Sequence, residues 1–527
     1  MSEAEKEFAA RKAAHADVAL LLEGTFPYVA GGVSSWVNQI IKGFPHLRFA
    51  IIFMGSRKQD YGEPKFKLPD NVVHFEAHYL YDTDSNPPVT PIKGDEEMFE
   101  QVRVLHQYFQ YPARYAEDGA RALEKVVGEL NGRMNHEQFL YSQHSWNFTT
   151  QQYRERSRDP SFVDYFWTVR TMHAPIWKIA RIVDGMIDVK CFHSVSTGYA
   201  GFLGALLKRR YRKPLILSEH GIYTKERRID LYSAQWIADN RNLLQSDPTQ
   251  AGYFRQAWIR FFEALGRMCY DASDQIIALY EANRLRQVQD GANADRTFNI
   301  PNGIDVERFG ALRAKRPEKT PPICCLIGRV VPIKDVKTYI RAMRVVANRV
   351  PDAQAWIAGP EDESPAYAKE CHDLVESLGL QDNVKFLGFQ NLMDLLPQIG
   401  LVVLSSISEA LPLVLLEGYA AGVPGVSTDV GSCRQLIEGL TSGDKALGKS
   451  GEVVGIANPQ ELADAILSFF TDDEKWRKAS EAGIARVNRF YTHPLMFARY
   501  AKVYERALDG EFADVDSFDG WPPLDGA

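Results

Sequence analysis

The segment Leu401–Gly422, LVVLSSISEALPLVLLEGYAAG, narrows the possible folds more than any other stretch of the chain. Leu401 to Leu404 is an apolar run of the length expected for a strand buried on both faces, which belongs in a parallel sheet. Ser405, Ser406, Ser408 and Glu409 supply the polar turn after it. Pro412 then stands at a helix start, Gly422 at its end and Pro424 just beyond. Between those stops the helix is apolar on every side except for Glu417. Such a helix is buried, and a carboxylate there is costly unless it has a partner. A strand, a turn and a buried helix make the repeating unit of a doubly wound α/β sheet, whose ligands bind beyond the carboxyl ends of the strands. Seven residues separate Glu409 from Glu417, so the turn can bring both carboxylates to that edge. Two acceptor-only groups beside a helix N-terminus suit a ligand with hydroxyls at two points and a phosphate between them, as in a sugar nucleotide. The same spacing also fits one glutamate paired to an arginine and a second that is solvated.

The alternation continues on either side of this segment. Strands are expected at Ile323–Ile327, Gln354–Ala358, Val384–Leu387, Gly425–Thr428 and Glu452–Val454. Helices are expected at Val336–Asn348, Ala366–Leu378, Leu392–Ile399, Pro459–Thr471, Asp473–Arg489 and Pro494–Ala507. The first of these strands runs into Gly328-Arg329-Val330-Val331-Pro332-Ile333-Lys334-Asp335. A guanidinium fork and a lysine on one strand-to-helix turn can hold a diphosphate and stabilise it as a leaving group, and the helix dipole behind them has the same sign. Two surface cations in solvent are the other reading of that turn.

Upstream, Val18–Leu22 reads as the first buried strand, with Gly31-Gly32 opening a helix over about 33–42. Glycines there let backbone N–H groups approach an anion, although glycine before a helix is also ordinary turn chemistry. Further strands are expected at Ala50–Met54, Val72–Phe75, Ile187–His193, Pro214–Ser218, Asp274–Leu279 and Thr297–Ile300, with a helix at Tyr199–Arg210. Gly198, Gly201 and Gly204 do not form GxGxxG, and close helix–sheet packing explains them better. His220, in Ser218-Glu219-His220-Gly221, falls at the carboxyl edge of the sheet. Residues 81–170 break the rhythm with aromatic-rich helical sequence, read as a helical insertion whose aromatics are mostly its core. Within it, Asp82-Thr83-Asp84 has the DxD form but no supporting pattern and reads as a solvated turn, and His144 as a packed histidine. Residues 311–322 are charged and Pro-rich and read as a linker, and the last twenty are acidic and read as disordered.

Length and charge set the remaining bounds. A chain of 527 residues suits two or three domains, and a net charge of −7 argues against a general nucleic-acid or membrane-surface binder, so any anion site is local. The six cysteines show no CxxC or Cys/His spacing, so neither a zinc site nor a disulfide framework is expected, and a reducing cytoplasm fits. The first residues lack a signal-peptide core, and no apolar run approaches the roughly 20 residues needed to span a bilayer.

Taken together, Gly31-Gly32, Ser218-Glu219-His220-Gly221, Pro301-Asn302-Gly303-Ile304-Asp305, Gly328-Arg329 with Lys334, Leu387-Gly388-Phe389, and Glu409 to Glu417 resemble the retaining nucleotide-sugar transferases of glycosyltransferase family 4. The order and spacing match from roughly residue 17 to 507. EGTFPYVAGGVSSWV and SEHGIYTKERR are similar to a branch that builds Pel exopolysaccharide. The resemblance implies the α/β GT-B fold, with two Rossmann-like domains facing across a cleft. The first, 1–310, would take the acceptor and carry the insertion; the second, 311–490, would bind the nucleotide sugar; a helix at 491–508 would return to the first domain.

The resemblance also implies roles. Arg329 and Lys334 would hold the diphosphate, Glu417 the ribose hydroxyls and Glu409 the donor-sugar hydroxyls. The backbone near Gly388 and Phe389 would meet the base. Gly31, Gly32 and His220 would line the sugar and acceptor side, with Asn302 and Leu413 as further ligand contacts. The implied activity is metal-independent and cofactor-free transfer from a UDP-sugar to a growing polysaccharide, in the cytoplasm, beside an inner-membrane synthase complex and without nucleic acid. Asp335 stands where the family often has glycine, and Gln435 where a glutamate is common. A glycogen- or trehalose-type glucosyltransferase and a non-catalytic sugar-nucleotide-binding assembly subunit are the alternatives. An NAD-dependent oxidoreductase is disfavoured, because no GxGxxG follows a strand.

Overall fold

The computed structural model describes residues 3–82, 90–128, 134–156, 161–234, 237 and 252–510. The chain forms two units, each on its own parallel sheet. The first unit runs to Ala278, takes in Arg284–Phe298 and resumes at Ala501; the second holds Leu279–Asn283 and Asn299–Tyr500.

Seven strands build the first sheet: β1 (His15–Glu23), β2 (Phe49–Gly55), β3 (Val72–Tyr79), β4 (Asp188–Ser194), β5 (Leu215–Glu219), β6 (Gln275–Ala278) and β7 (Thr297–Asn299). Their spatial order is β3-β2-β1-β4-β5-β6-β7. Six build the second: β8 (Ile323–Ile327), β9 (Gln354–Ala358), β10 (Val384–Gly388), β11 (Leu401–Leu404), β12 (Gly425–Thr428) and β13 (Gly451–Val454), in the order β10-β9-β8-β11-β12-β13. β2, β11 and β12 are buried at every position, as strands covered by helices on both faces must be. The doubly wound expectation is met in both units. In each sheet the winding reverses beside the first strand, between β1 and β4 and between β8 and β11. Those two reversals are the topological switch points where open α/β sheets leave a crevice for ligands.

The helix after β11 spans Leu413–Ala420 and ends at Gly422 (φ 76°). A Cβ on Gly418 would come within 2.9 Å of Val402, so glycine there lets the helix lie close on β11. Gly201 and Gly204 do the same on the helix Tyr199–Tyr211: added Cβ atoms would meet Ser196 O at 2.7 Å and Leu215 at 2.8 Å.

The stretch after β3 carries the helices Glu96–Gln110, Ala116–Gly128, His136–Tyr141, Gln143–Arg156 and Phe162–Asp184. Phe99, Tyr108, Phe109, Phe139 and Phe148 are in the core there, whereas Tyr111 and Trp146 are exposed. His144 stacks on Phe99.

Three differences from the sequence reading have plain causes. Besides Leu279–Asn283, the second unit takes the chain from Asn299 rather than from 311, because Ile304 exchanges backbone hydrogen bonds with Tyr491 and His493, and Phe309 and Leu312 join the second unit's core. Between β5 and β6 lie helices Tyr223–Ser233 and Tyr253–Ala272, where no element was expected. Phe254, Trp258, Phe261, Phe262, Leu265, Met268 and Cys269 give the second its buried face. Asp84 and the acidic tail beyond residue 510 lie outside the described residues; Asp82 accepts from the Lys58 N–H. Among the described residues no helix is long and apolar enough to cross a membrane.

Candidate functional site

At the β8–β11 switch point, the two turns after those strands are fastened to each other. Ser405 Oγ donates to the Lys334 carbonyl at 2.8 Å, and the Ile407 N–H to the Ile333 carbonyl at 2.8 Å. Lys334 itself is placed by Asp335, which adopts a left-handed backbone (φ 43°, ψ 50°) and caps the helix Val336–Arg349 through the Thr338 N–H. Aspartate tolerates that conformation and supplies the cap, whereas a glycine would supply only the conformation. Aspartate in place of glycine therefore keeps the turn.

Lys334 Nζ lies 2.5 Å from Glu409 Oε1, which also accepts from Ser406 Oγ at 2.6 Å. This pair is largely sheltered, with the side chains 19% and 12% exposed. Behind it Gly431 (φ 56°) presses on the Glu409 carbonyl, where a Cβ would approach to 2.2 Å. The turn thus holds a lysine and a carboxylate together at the carboxyl edge of the second sheet, where open α/β sheets bind ligands.

Arg329 does not join this pair. Its Nη1 contacts both oxygens of Glu363 at 2.5 and 2.7 Å, and its side chain is 55% exposed. An exposed pair of this kind contributes little to stability, so the guanidinium can leave Glu363 for an anion. Glu363 lies in the Glu361-Asp362-Glu363 loop after β9, where no sequence pattern marks it as a partner for Arg329.

Glu417 is half-buried in the helix Leu413–Ala420 and has no hydrogen-bond partner among the described residues. Burial lifts its pKa to about 7, against the opposing charge of Arg308. A folded pKa near 7 against about 4.3 unfolded means that folding takes up a proton in that window. Stability therefore falls as pH rises between those values, and the full cost is present above them. Glu417→Gln should stabilise the fold at pH 8 by on the order of 2 kcal/mol, allowing for partial exposure, and not at pH 4. Thermal melts of both proteins at the two pH values check this; an equal shift at both would place the effect elsewhere than in the charge.

Four more of the expected residues sit in the same unit. Gly388 (φ 63°) ends β10 with open space around it, and Phe389 beyond it is 85% exposed. Asn302 is buried, and its Oδ1 lacks a partner among the described residues. Leu413 begins the Glu417 helix and is half-buried. Gln435 ties the Glu281 N–H at 3.2 Å to the Tyr491 hydroxyl at 3.3 Å, a packing role.

The first unit has its own concavity at the β1–β4 switch point, a cavity of about 660 Å³. Glu23 at the end of β1, Thr25 just beyond it, Ser196 after β4, and His220 after β5 line it. His220 is buried, packs edge-on against Trp36 at 4.5 Å, and leaves Nε2 without a partner among the described residues. Burial lowers its pKa to about 4, so the imidazole is neutral at pH 7. Glu219 beside it is fully buried and accepts from Thr197, the Tyr223 N–H, Tyr270 and Gln287 at 2.8–3.1 Å. Glu23 accepts from the Tyr223 hydroxyl at 2.9 Å and from the Ala200 N–H at 3.2 Å. Arg227 stacks over Tyr223 and Phe262, and the Tyr81 and Tyr199 hydroxyls meet at 2.8 Å.

Gly31 and Gly32 do not line this cavity, although the next residue, Val33, does; a Cβ on either glycine would meet nothing within 4 Å. Of the three residues expected on this side, His220 alone lines the cavity. Glu23 ends a strand and Tyr223, Arg227 and Phe262 lie on two helices, and their meeting depends on the tertiary fold.

A family model described as "Domain of unknown function (DUF3492)" matches residues 16–295, more than half of the chain. One described as "Glycosyl transferases group 1" matches residues 309–486. Among curated relatives, the D-inositol 3-phosphate glycosyltransferase 2 of Catenulispora acidiphila is 28% identical over 255 residues, covering 45% of this chain and 57% of that protein. The lipopolysaccharide core biosynthesis mannosyltransferase LpsB of Rhizobium meliloti is 27% identical over 225 residues, covering 40% and 62%. The aligned region thus spans about three-fifths of these relatives. Among solved structures, Anabaena Alr3699/HepE in complex with UDP superposes with a TM-score of 0.55 at 17% identity, covering 93% of this chain and 99% of that one. Sucrose-phosphate synthase of Thermosynechococcus elongatus gives 0.56 at 16% identity, covering 94% and 100%. At these identities the likeness establishes the fold: each unit is a Rossmann-like domain of the GT-B type.

Proposed function

The chain belongs to the family of the domain of unknown function DUF3492, with a glycosyl transferases group 1 match behind that domain, and from this premise we propose that it is a retaining glycosyltransferase using a UDP-sugar. The observation that carries the reading is the sheltered Lys334–Glu409 pair at the β8–β11 switch point, with Glu417 unpartnered in the helix that follows. Lys334, joined by Arg329 on release from Glu363, would hold the diphosphate. Glu409 would accept from the donor-sugar hydroxyls and Glu417 from the ribose. Gly388, Phe389, Leu413 and Asn302 would serve as neighbouring ligand contacts. UDP is the nucleotide bound in the solved Anabaena Alr3699/HepE, which supports this choice of donor.

The acceptor would occupy the 660 Å³ cavity of the first unit, whose aromatic faces and hydroxyl, carboxylate and guanidinium groups suit a saccharide. In the reaction the anomeric carbon–diphosphate oxygen bond breaks and a bond to an acceptor hydroxyl forms on the same face. The acceptor proton passes to the departing diphosphate oxygen, so no separate base is required. The protein's contribution is orientation and electrostatic stabilisation of the leaving group. His220, neutral in its burial, would hydrogen-bond the ligand through its free Nε2 rather than carry charge.

The finer assignment is to the glycosyltransferase of Pel exopolysaccharide assembly. It rests on EGTFPYVAGGVSSWV and SEHGIYTKERR and on a saccharide-sized cavity in the domain that contains both. It carries with it a hexose or N-acetylhexosamine donor, a growing polysaccharide as acceptor, a cytoplasmic location and an inner-membrane synthase as partner.

Nucleotide release measured with UDP-glucose, UDP-GlcNAc, UDP-GalNAc and GDP-mannose should single out one UDP-sugar. Binding without turnover for every donor would instead point to an assembly subunit. Because Lys334 and Arg329 supply the positive charge, EDTA should leave that release largely unchanged. Loss of activity on chelation, restored by manganese, would mean that a divalent ion does this work.

A further inference from the structure

A second cavity of about 470 Å³ in the first unit lies apart from the groups used above and is lined by five arginines against two carboxylates. In a chain of net charge −7, this local balance of +3 stands out. Arg260 and Arg267 come from the helix Tyr253–Ala272, seven residues apart and so on one face. Glu263 between them is taken by Arg228 at 2.5 Å, and Asp290 by Arg286 at 2.9 and 3.0 Å. That uses both carboxylates. Arg114, Arg260 and Arg267 have no ion-pair partner among the described residues; Asp271, one turn past Arg267, acts on it only at longer range. Arg260 and Arg267 are also half-buried, which thins the water that would screen them.

Like charges gathered in a partly sheltered concavity repel one another, and an anion that enters relieves that repulsion while meeting several guanidinium forks at once. The volume is that of a small-molecule site. One rim carries the exposed ring of Tyr111, over which the Arg260 guanidinium sits at 5.5 Å, so a flat or sugar-like group could rest beside the anion.

We propose that this cavity binds a phosphorylated small molecule carrying at least two negative charges. The site is distinct from the Lys334 turn, and the proposal does not depend on the glycosyltransferase reading.

Inorganic pyrophosphate is the probe. Titrated calorimetrically into the full chain saturated with UDP, and separately into Lys334→Ala, it should bind at one site in both. That affinity should weaken as salt rises. Arg260→Ala/Arg267→Ala should weaken it by at least about 10-fold, the loss of charge-assisted hydrogen bonds. Arg114→Ala, an exposed change that the fold will tolerate, should weaken it to a lesser degree and guards against misfolding of the double variant. No binding at millimolar pyrophosphate, or equal affinity in all the arginine variants, overturns the proposal. So does sedimentation with phosphatidylglycerol vesicles in the absence of pyrophosphate binding, which would make the cavity a membrane contact.

Discussion

Replacing Lys334 by alanine should lower sugar-transfer turnover by about 10²-fold or more, equivalent to roughly 3 kcal/mol of charge stabilisation removed from the leaving diphosphate. Lys334 is held firmly in place: its carbonyl accepts from Ser405 Oγ and its ammonium lies 2.5 Å from Glu409. Alanine there removes a cation and also leaves Glu409 facing any incoming phosphate without compensation. Arg329 is differently placed, on the surface with Glu363, so it must move before it can contribute. Arg329→Ala should therefore be the milder of the two, although still a clear loss in kcat. Steady-state kinetics of both variants, with circular dichroism to verify folding, decide the matter. Full activity in Lys334→Ala would place the diphosphate elsewhere.

Most of the frame that positions these residues is legible in the sequence. β8, β9, β11 and β12 begin and end where the sequence places them, and β11, buried at every position, has no polar interruption to blur its limits. The helix around Glu417 is likewise announced by Pro412 and Gly422. The helix between β5 and β6 escapes the strand-and-turn pattern, although Phe254, Trp258, Phe261 and Leu265 carry a helical period there. That omission hid the wall of the first unit's cavity and the arginine face of the second.

Pair-forming side chains were legible only as types. Spacing places Arg329, Lys334 and Glu409 at one sheet edge, but it does not say that Lys334 chooses Glu409 while Arg329 turns to Glu363. Those choices depend on loops after β9 and β11, whose closeness is set by strand order and not by sequence distance. Glu417 shows the converse. An isolated carboxylate in an apolar helix is visible in the sequence, and its elevated pKa near 7 follows directly from that isolation.

Glu409 and Glu417 together test the account most directly, because each is assigned a different part of one ligand. Calorimetry of Glu409→Ala and Glu417→Ala, each with UDP and with the preferred UDP-sugar, gives four affinities. A hydroxyl donating to a carboxylate is worth about 1.5–3 kcal/mol, or roughly 10- to 150-fold in affinity. Glu417→Ala should weaken both ligands by that factor, since both carry the ribose. Glu409→Ala should weaken only the UDP-sugar. UDP itself should bind that variant at least as tightly as before, because Lys334 is released from its carboxylate and left free for the phosphates. Equal losses for both ligands in both variants, or no loss in any of the four, would contradict the division of labour on which this reading of the site stands.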